Sequence, residues 1–218
     1  MGPIAPGALA HGDLRHLAGG HQAGAEVDCL TTGNHAGSRD ERETLFIAGE
    51  RFRADAKAEG DDVVVGGWAL SPASSDTMHA AWFSETLTKL NAPWAFSKGE
   101  AFKTIAAQEL FAPLLCLRLL VCDCDFDCDV TLSLTGGTDN QGNTAVTTEL
   151  MTTAFLLSLI LMEVAAGMHE KGLAPRLDWL PRELNVPADD LTTWEFAKFN
   201  PSERVHLDWD CSRRAGTE

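Results

Sequence analysis

The sequence predicts an α/β domain built on a mixed five-stranded sheet, in the order βββαβαβα, with helices on both faces. Two observations carry this. Three strand-like runs follow one another between Phe46 and Leu87, separated by turn residues, and two further strand-like runs then alternate with long helical segments. Runs of hairpin-linked strands followed by helix–strand alternation require a sheet that is antiparallel on one side and parallel on the other.

Taken in order, Phe46 to Ala56, Val63 to Leu70 and Ala80 to Leu87 read as strands, divided by Glu59-Gly60-Asp61 and by Ser71-Pro72 with the serines after it. Gly99 to Val121 follows with helical periodicity, Ile105, Glu109, Ala112 and Cys116 lying along one side. Pro113 stands four residues after Glu109, where its ring opposes the Glu109 carbonyl and removes a helix hydrogen bond, so a kink is expected there. Val130, Leu132 and Leu134 alternate with Thr131, Ser133 and Thr135 as in a half-buried strand, which runs into Gly136-Gly137-Thr138-Asp139-Asn140. Thr144 to Lys171 has helical composition, in one or two pieces, and stops at Gly172. Leu173 to Leu180 gives the fifth strand. A last helix is expected from Pro187 to Phe196, with Asp189 and Asp190 in its first turn. The first strand is expected at the centre of the sheet.

Composition bounds the function. The chain has 218 residues, enough for one well-buried domain, expected over residues 44–199, with a disordered or linker segment at 1–43 and a tail at 200–218. The formal net charge of −15 argues against nonspecific adhesion to nucleic acid, so any such site must be local and metal-assisted. The longest apolar run, Ala154 to Met162, is too short to span a bilayer, and the N-terminus lacks the basic start and apolar run of a secretory signal. An intracellular protein, cytoplasmic or nuclear, with reduced thiols at its six cysteines is expected.

Four acids stand where an acid is awkward. Asp55 lies on a strand, Glu109 on the inner side of an apolar helix, Asp139 at a strand's C-terminal end and Asp189 at a helix start. Acids so placed usually need a cation. Taken singly, Asp139 before Asn140 reads as turn chemistry and Asp189 as a helix N-terminal charge; taken together in this order, they read as a metal site.

Four motifs carry a resemblance. Phe52-Arg-Ala-Asp55-Ala, Thr104-Ile-Ala-Ala-Gln-Glu109-Leu, Leu134-Thr-Gly-Gly-Thr-Asp139-Asn and Asn185-Val-Pro-Ala188-Asp189-Asp-Leu191 resemble, in order, the acidic motifs of the ribonuclease H fold. The run Trp179-Leu-Pro-Arg-Glu-Leu-Asn185 looks most like the ribonuclease H domains attached to reverse transcriptases of retroelements, particularly retrotransposons. The resemblance spans about Phe46 to Phe199. It implies a metal-dependent endonuclease that hydrolyses the RNA strand of RNA/DNA hybrids, with two Mg²⁺ ions (Mn²⁺ as an alternative) held by Asp55, Glu109, Asp139 and Asp189. It also implies a reverse-transcriptase domain in the same or a parent polyprotein as partner. The alternative is a catalytically inactive scaffold or connection-type domain of the same fold.

Asn140, Asn143, Lys98, Lys103 and Arg182 flank the acidic motifs and are the candidates for contact with substrate, against the ordinary roles of turn formation and surface charge. Cys122-Asp-Cys124-Asp-Phe-Asp-Cys128 lacks a second ligand pair at zinc spacing and reads as a solvated acidic loop. His11, His16, His21 and His35 read as part of a polar tail. Trp68 and Trp82 are expected in the core.

Overall fold

The computed structural model describes residues 43–70, 74, 76–120, 130–207 and 209. The glycine-rich start, the Cys122–Cys128 loop and the end of the chain lie outside the described residues. The strands are β1 (Glu43–Glu59), β2 (Asp62–Ala69), β3 (Ala81–Leu87), β4 (Val130–Thr138) and β5 (Leu173–Trp179). They form one sheet in the order β3-β2-β1-β4-β5, with β1 at its centre. β2 runs antiparallel to β1 and to β3, whereas β4 runs parallel to β1 and to β5. Gly60, at φ +62°, makes the tight β1–β2 turn that a side chain would strain. The order and sense of the strands are those expected of a ribonuclease H-like mixed sheet.

The helices α1 (Ile105–Leu115), α2 (Gln141–Glu149), α3 (Phe155–Lys171) and α4 (Val186–Thr192) cover both faces. Adjacent glycines of β2 show how. A Cβ at Gly67 would lie 2.4 Å from Cys116 Sγ, just beyond α1, and one at Gly66 would lie 2.7 Å from Leu191 Cβ of α4. Because successive strand residues point to opposite faces, α1 and α4 lie on opposite sides of the sheet, each close enough that only glycine fits beneath it. On the α1 side, Phe52, Val63, Val65, Phe83, Leu110, Leu114 and Leu161 form the main core. On the α4 side, Trp68, Trp82, Leu191 and Phe199 form a smaller one, so both tryptophans are buried as expected.

Pro113 does not end α1. The helix passes through it to Leu115 and continues as a wider π turn over Cys116–Leu120, which Arg118 ties to Glu163 of α3 at 2.9 Å. The segment from Thr144 to Lys171 is two helices, the second closed by Gly172 at φ +61° with its N–H donating to the Met168 carbonyl. The last helix is shorter than expected: it ends at Thr192, and Trp194 turns the chain at φ +62°. The chain beyond Phe199, read from sequence as a tail, packs along β3 as far as Leu207. Val205 N–H donates to the Trp82 carbonyl at 2.8 Å, and the Trp82 indole donates to the Asn200 carbonyl at 2.7 Å.

Candidate active site

Strand register brings the first two acids together. β1 and β4 are parallel with Arg53 opposite Gly137, so two residues further on, Asp55 comes level with Asp139 as the chain leaves β4. Neighbouring strands are about 4.8 Å apart, and residues an even number of places from a matched pair share its face. Asp55 and Asp139 thus sit side by side on the α4 face, at the C-terminal ends of the parallel strands, where α/β folds place their sites. The Gly136–Gly137 pair permits this close pairing: a Cβ at Gly136 would meet the Phe52 ring at 2.2 Å, and one at Gly137 would meet Glu50 Oε1 at 2.1 Å and Leu180 Cδ1 at 2.4 Å.

Asp189 is delivered by α4. The short turn Arg182–Leu184 that leads into this helix is anchored to β1 by Arg53, whose guanidinium donates to the Leu184 carbonyl while pairing with Glu50 at 2.6 Å. One turn along α4, Thr192 Oγ1 reaches Asp55 Oδ2 at 3.4 Å and the Asp189 carbonyl at 2.9 Å, joining the helix to the central acid. Glu109 comes from α1. Asn140, the N-cap of α2, accepts from Asn143 N–H at 3.0 Å through its side-chain oxygen and donates to Glu109 Oε2 through its amide nitrogen. Asn143 is buried, with its own amide donating to the Ala106 carbonyl of α1 at 3.3 Å, so it braces α2 against the helix that carries Glu109.

These carboxylates feel one another. Asp55 is 7% exposed, and its carboxyl is raised from an ordinary 3.8 to about 7 by burial first and by the charges of Asp139, Asp189 and Glu109 besides, against a bond from Ala56 N–H that favours ionisation. Glu109 is also raised, by burial first and then by Asp139, while the Asn140 amide and the Arg182 guanidinium oppose the rise. Arg182 donates to Asp189 Oδ1 at 3.0 Å and is held more firmly protonated by that contact, and by Asp55 and Asp139.

The structure therefore brings together Asp55, Glu109, Asp139, Asp189, Asn140 and Arg182. Lys103 is engaged elsewhere, pairing with Glu100 at 2.7 Å and lying over the Phe102 ring, and Lys98 is exposed in the preceding loop. Two residues that sequence reasoning missed are Thr192 and Trp179, the latter half exposed with its indole donating to the Asp139 carbonyl at 3.2 Å. Thr192 stands three places after Asp189, a helical spacing that puts both on one face and could have drawn attention to it. Asn185, first residue of the closing motif, is fully buried with both amide atoms unpartnered.

Asp55, Glu109, Asp139 and Asp189 are the side chains that could hold a divalent cation. The donor set is all oxygen, which suits Mg²⁺ or Mn²⁺ rather than zinc, and a buried carboxyl raised by three neighbouring acids is an environment that a cation relieves. Among the described residues, no three His, Cys, Asp or Glu side chains already close on one point. Two of the four acids have other partners: Asp189 is turned to Arg182 and Glu109 to Asn140. The set fits in charge and chemistry, and each of these contacts engages one carboxylate oxygen and leaves the other open.

Neither protein-family profiles nor curated proteins match the sequence. Among solved structures, the chain is similar to RNase H1 of the halophilic archaeon Halobacterium salinarum, at 19% identity over 70% of this chain and 97% of that one, with a TM-score of 0.47. It is similar to the N-terminal RNase H domain of a Mycobacterium tuberculosis protein, solved as a fusion with maltose-binding protein, at 13% identity over 80% of this chain and 99% of that one, with a TM-score of 0.43. LC11-RNase H1 in complex with an RNA/DNA hybrid gives 14% identity over 66% of this chain and 93% of that one, with a TM-score of 0.45.

Proposed function

We propose that this chain is a ribonuclease H-type endonuclease, hydrolysing the RNA strand of RNA/DNA hybrids with divalent cations held by Asp55, Glu109, Asp139 and Asp189. The observation that carries the reading is that contacts from separate segments link the four acids: Asn140, next to Asp139, donates to Glu109, and Thr192 donates to both Asp55 and the Asp189 carbonyl. Each of the other three acids adds repulsion to the buried Asp55, a cost that a bound cation would offset.

Two Mg²⁺ ions held in such a cluster would supply the charge that activates water and stabilises the leaving oxygen. The residues of the chain do the rest. Asp55, held by the Ala56 N–H and the Thr192 hydroxyl, would be the central ligand. Glu109 and Asp139 would help hold the ion that activates water, and Asp189 the ion on the leaving-group side. The Trp179 indole holds the backbone of Asp139. Arg182 and Asn140, which have N–H groups beyond those given to Asp189 and Glu109, are the donors for phosphate oxygens. A hybrid duplex is read by shape and 2′-hydroxyls, which suits a site with few basic residues beside it.

The run Trp179 to Asn185 supports a retroelement origin, as the ribonuclease H part of a reverse-transcriptase polyprotein in an intracellular setting. Among the described residues no helix is long and apolar enough to cross a membrane. The opposing reading, a non-enzymatic scaffold, is favoured by one observation, that the acids do not close on one point. A labelled RNA/DNA hybrid incubated with the chain in Mg²⁺ or Mn²⁺ separates the two. The nuclease reading expects cleavage of the RNA strand, reduced at least about 100-fold by Asp139→Asn. No cleavage by the intact chain, or undiminished cleavage by the variant, supports the scaffold instead.

A further inference from the structure

Arg182 pairs directly with one of the four acids. It lies in the short turn between β5 and α4, its guanidinium donates to Asp189 Oδ1 at 3.0 Å, and its charge bears on Asp55, Asp139 and Glu109 as well. One side chain thus answers all four acids. It is also well exposed, at 76% of its side-chain surface, so nothing in the packing obliges it to stay.

We infer that Arg182 is a resident counter-cation: it neutralises the acid cluster in the metal-free protein, competes with divalent ions for Asp189, and swings out to solvent and substrate when they bind. The inference rests on the metal-dependent reading above and adds a device to it. First, four carboxylates around a buried strand repel one another and need a positive partner at neutral pH; a tethered guanidinium provides one when no ion is present. Secondly, Arg182 occupies Asp189 Oδ1, one of the two oxygens that this acid could offer to a cation. Thirdly, a guanidinium and a divalent cation on the same carboxylate repel each other, so Arg182 at Asp189 Oδ1 weakens cation binding there and a bound cation weakens the Arg182 contact. The turn that carries Arg182 is itself anchored by Arg53 to the Leu184 carbonyl, so the side chain can leave while the backbone that places Asp189 stays.

The test is Mg²⁺ binding by the full chain without substrate, read by isothermal titration calorimetry and, with Mn²⁺, by electron paramagnetic resonance. Because an exposed ion pair is weak, Arg182→Gln is expected to bind either ion about three- to tenfold more tightly than the parent protein, with Arg182→Lys in between. Without metal, Arg182→Gln should unfold at a lower urea midpoint than the parent, and saturating Mg²⁺ should close that gap. If the parent binds metal and Arg182→Gln binds it equally or more weakly, the counter-cation is overturned while the metal site stands. If neither protein binds Mg²⁺ or Mn²⁺, both readings fall.

Discussion

Replacing Asp55 by asparagine probes the electrostatics of the site at its most buried point. The Asp55 carboxyl is raised from an ordinary 3.8 to about 7, so the folded protein holds this proton more tightly than the unfolded chain does. That contribution to stability is fully present below about pH 3.8, is lost as the pH rises through about 7, and leaves the ionised side chain as a net cost above that. At about 1.4 kcal/mol per pH unit, the interval from 3.8 to about 7 corresponds to about 4 kcal/mol at pH 8, and water reaching the cluster reduces the expected effect to about 2–4 kcal/mol. Asparagine keeps the shape and removes the charge. Urea denaturation in EDTA between pH 4.5 and 8 should therefore find Asp55→Asn increasingly more stable than the parent as pH rises, with the difference levelling off above about pH 7. Added Mg²⁺ at pH 8 should stabilise the parent and leave the variant unmoved. A difference between the two proteins that is flat across this range would refute the reasoning, because it would mean that Asp55 is not held against its charge by burial and its neighbours.

Three further outcomes follow from individual contacts. Glu109→Gln should lower hybrid cleavage at least about 100-fold and weaken Mn²⁺ binding in the resonance assay, with stability little changed because the Asn140 amide still finds an oxygen. Gly66→Ala should cost about 1–3 kcal/mol in urea denaturation and also weaken Mg²⁺ binding, since the new Cβ would stand 2.7 Å from Leu191 Cβ and 3.2 Å from its backbone carbon, pushing α4 and Asp189 away. Gly67→Ala, which meets Cys116 Sγ at 2.4 Å on the opposite face, should cost a similar amount in stability while leaving metal affinity near the parent value.

Much of this arrangement was legible because burial imposes its period on the residues. The alternation of Val130, Leu132 and Leu134 with polar neighbours marked β4, and the turns at Gly60 and after Leu70 divided the first three strands. The acids were visible as misplaced charges for the same reason: on a strand or an apolar helix, a carboxylate departs from the pattern. Less was legible where the deciding contact lies far along the chain. Thr192 bonds to Asp55 across 137 positions, and Arg53 reaches Leu184 across 131, distances over which periodicity carries no information. The early end of α4 escaped because Trp194 adopts a left-handed conformation that its residue type does not announce. The packing of Asn200 to Leu207 along β3 escaped because its pairing is with the Trp82 backbone, not a patterned strand.

The sequence by itself determined the five strands, the helical segments between and after them and the mixed sheet, and singled out four acids and their order, because local period and turn chemistry depend on neighbouring residues. Only the tertiary structure decided that these acids share one field. The parallel register of β1 and β4 sets Asp55 beside Asp139, and the clearance over Gly66 and Gly67 lets α4 and the segment after α1 approach from opposite faces. Tertiary structure also decided which partners the acids hold without metal: Arg182 for Asp189 and Asn140 for Glu109. The physical reason is that charges act through space, so their consequences appear only when distant segments have packed.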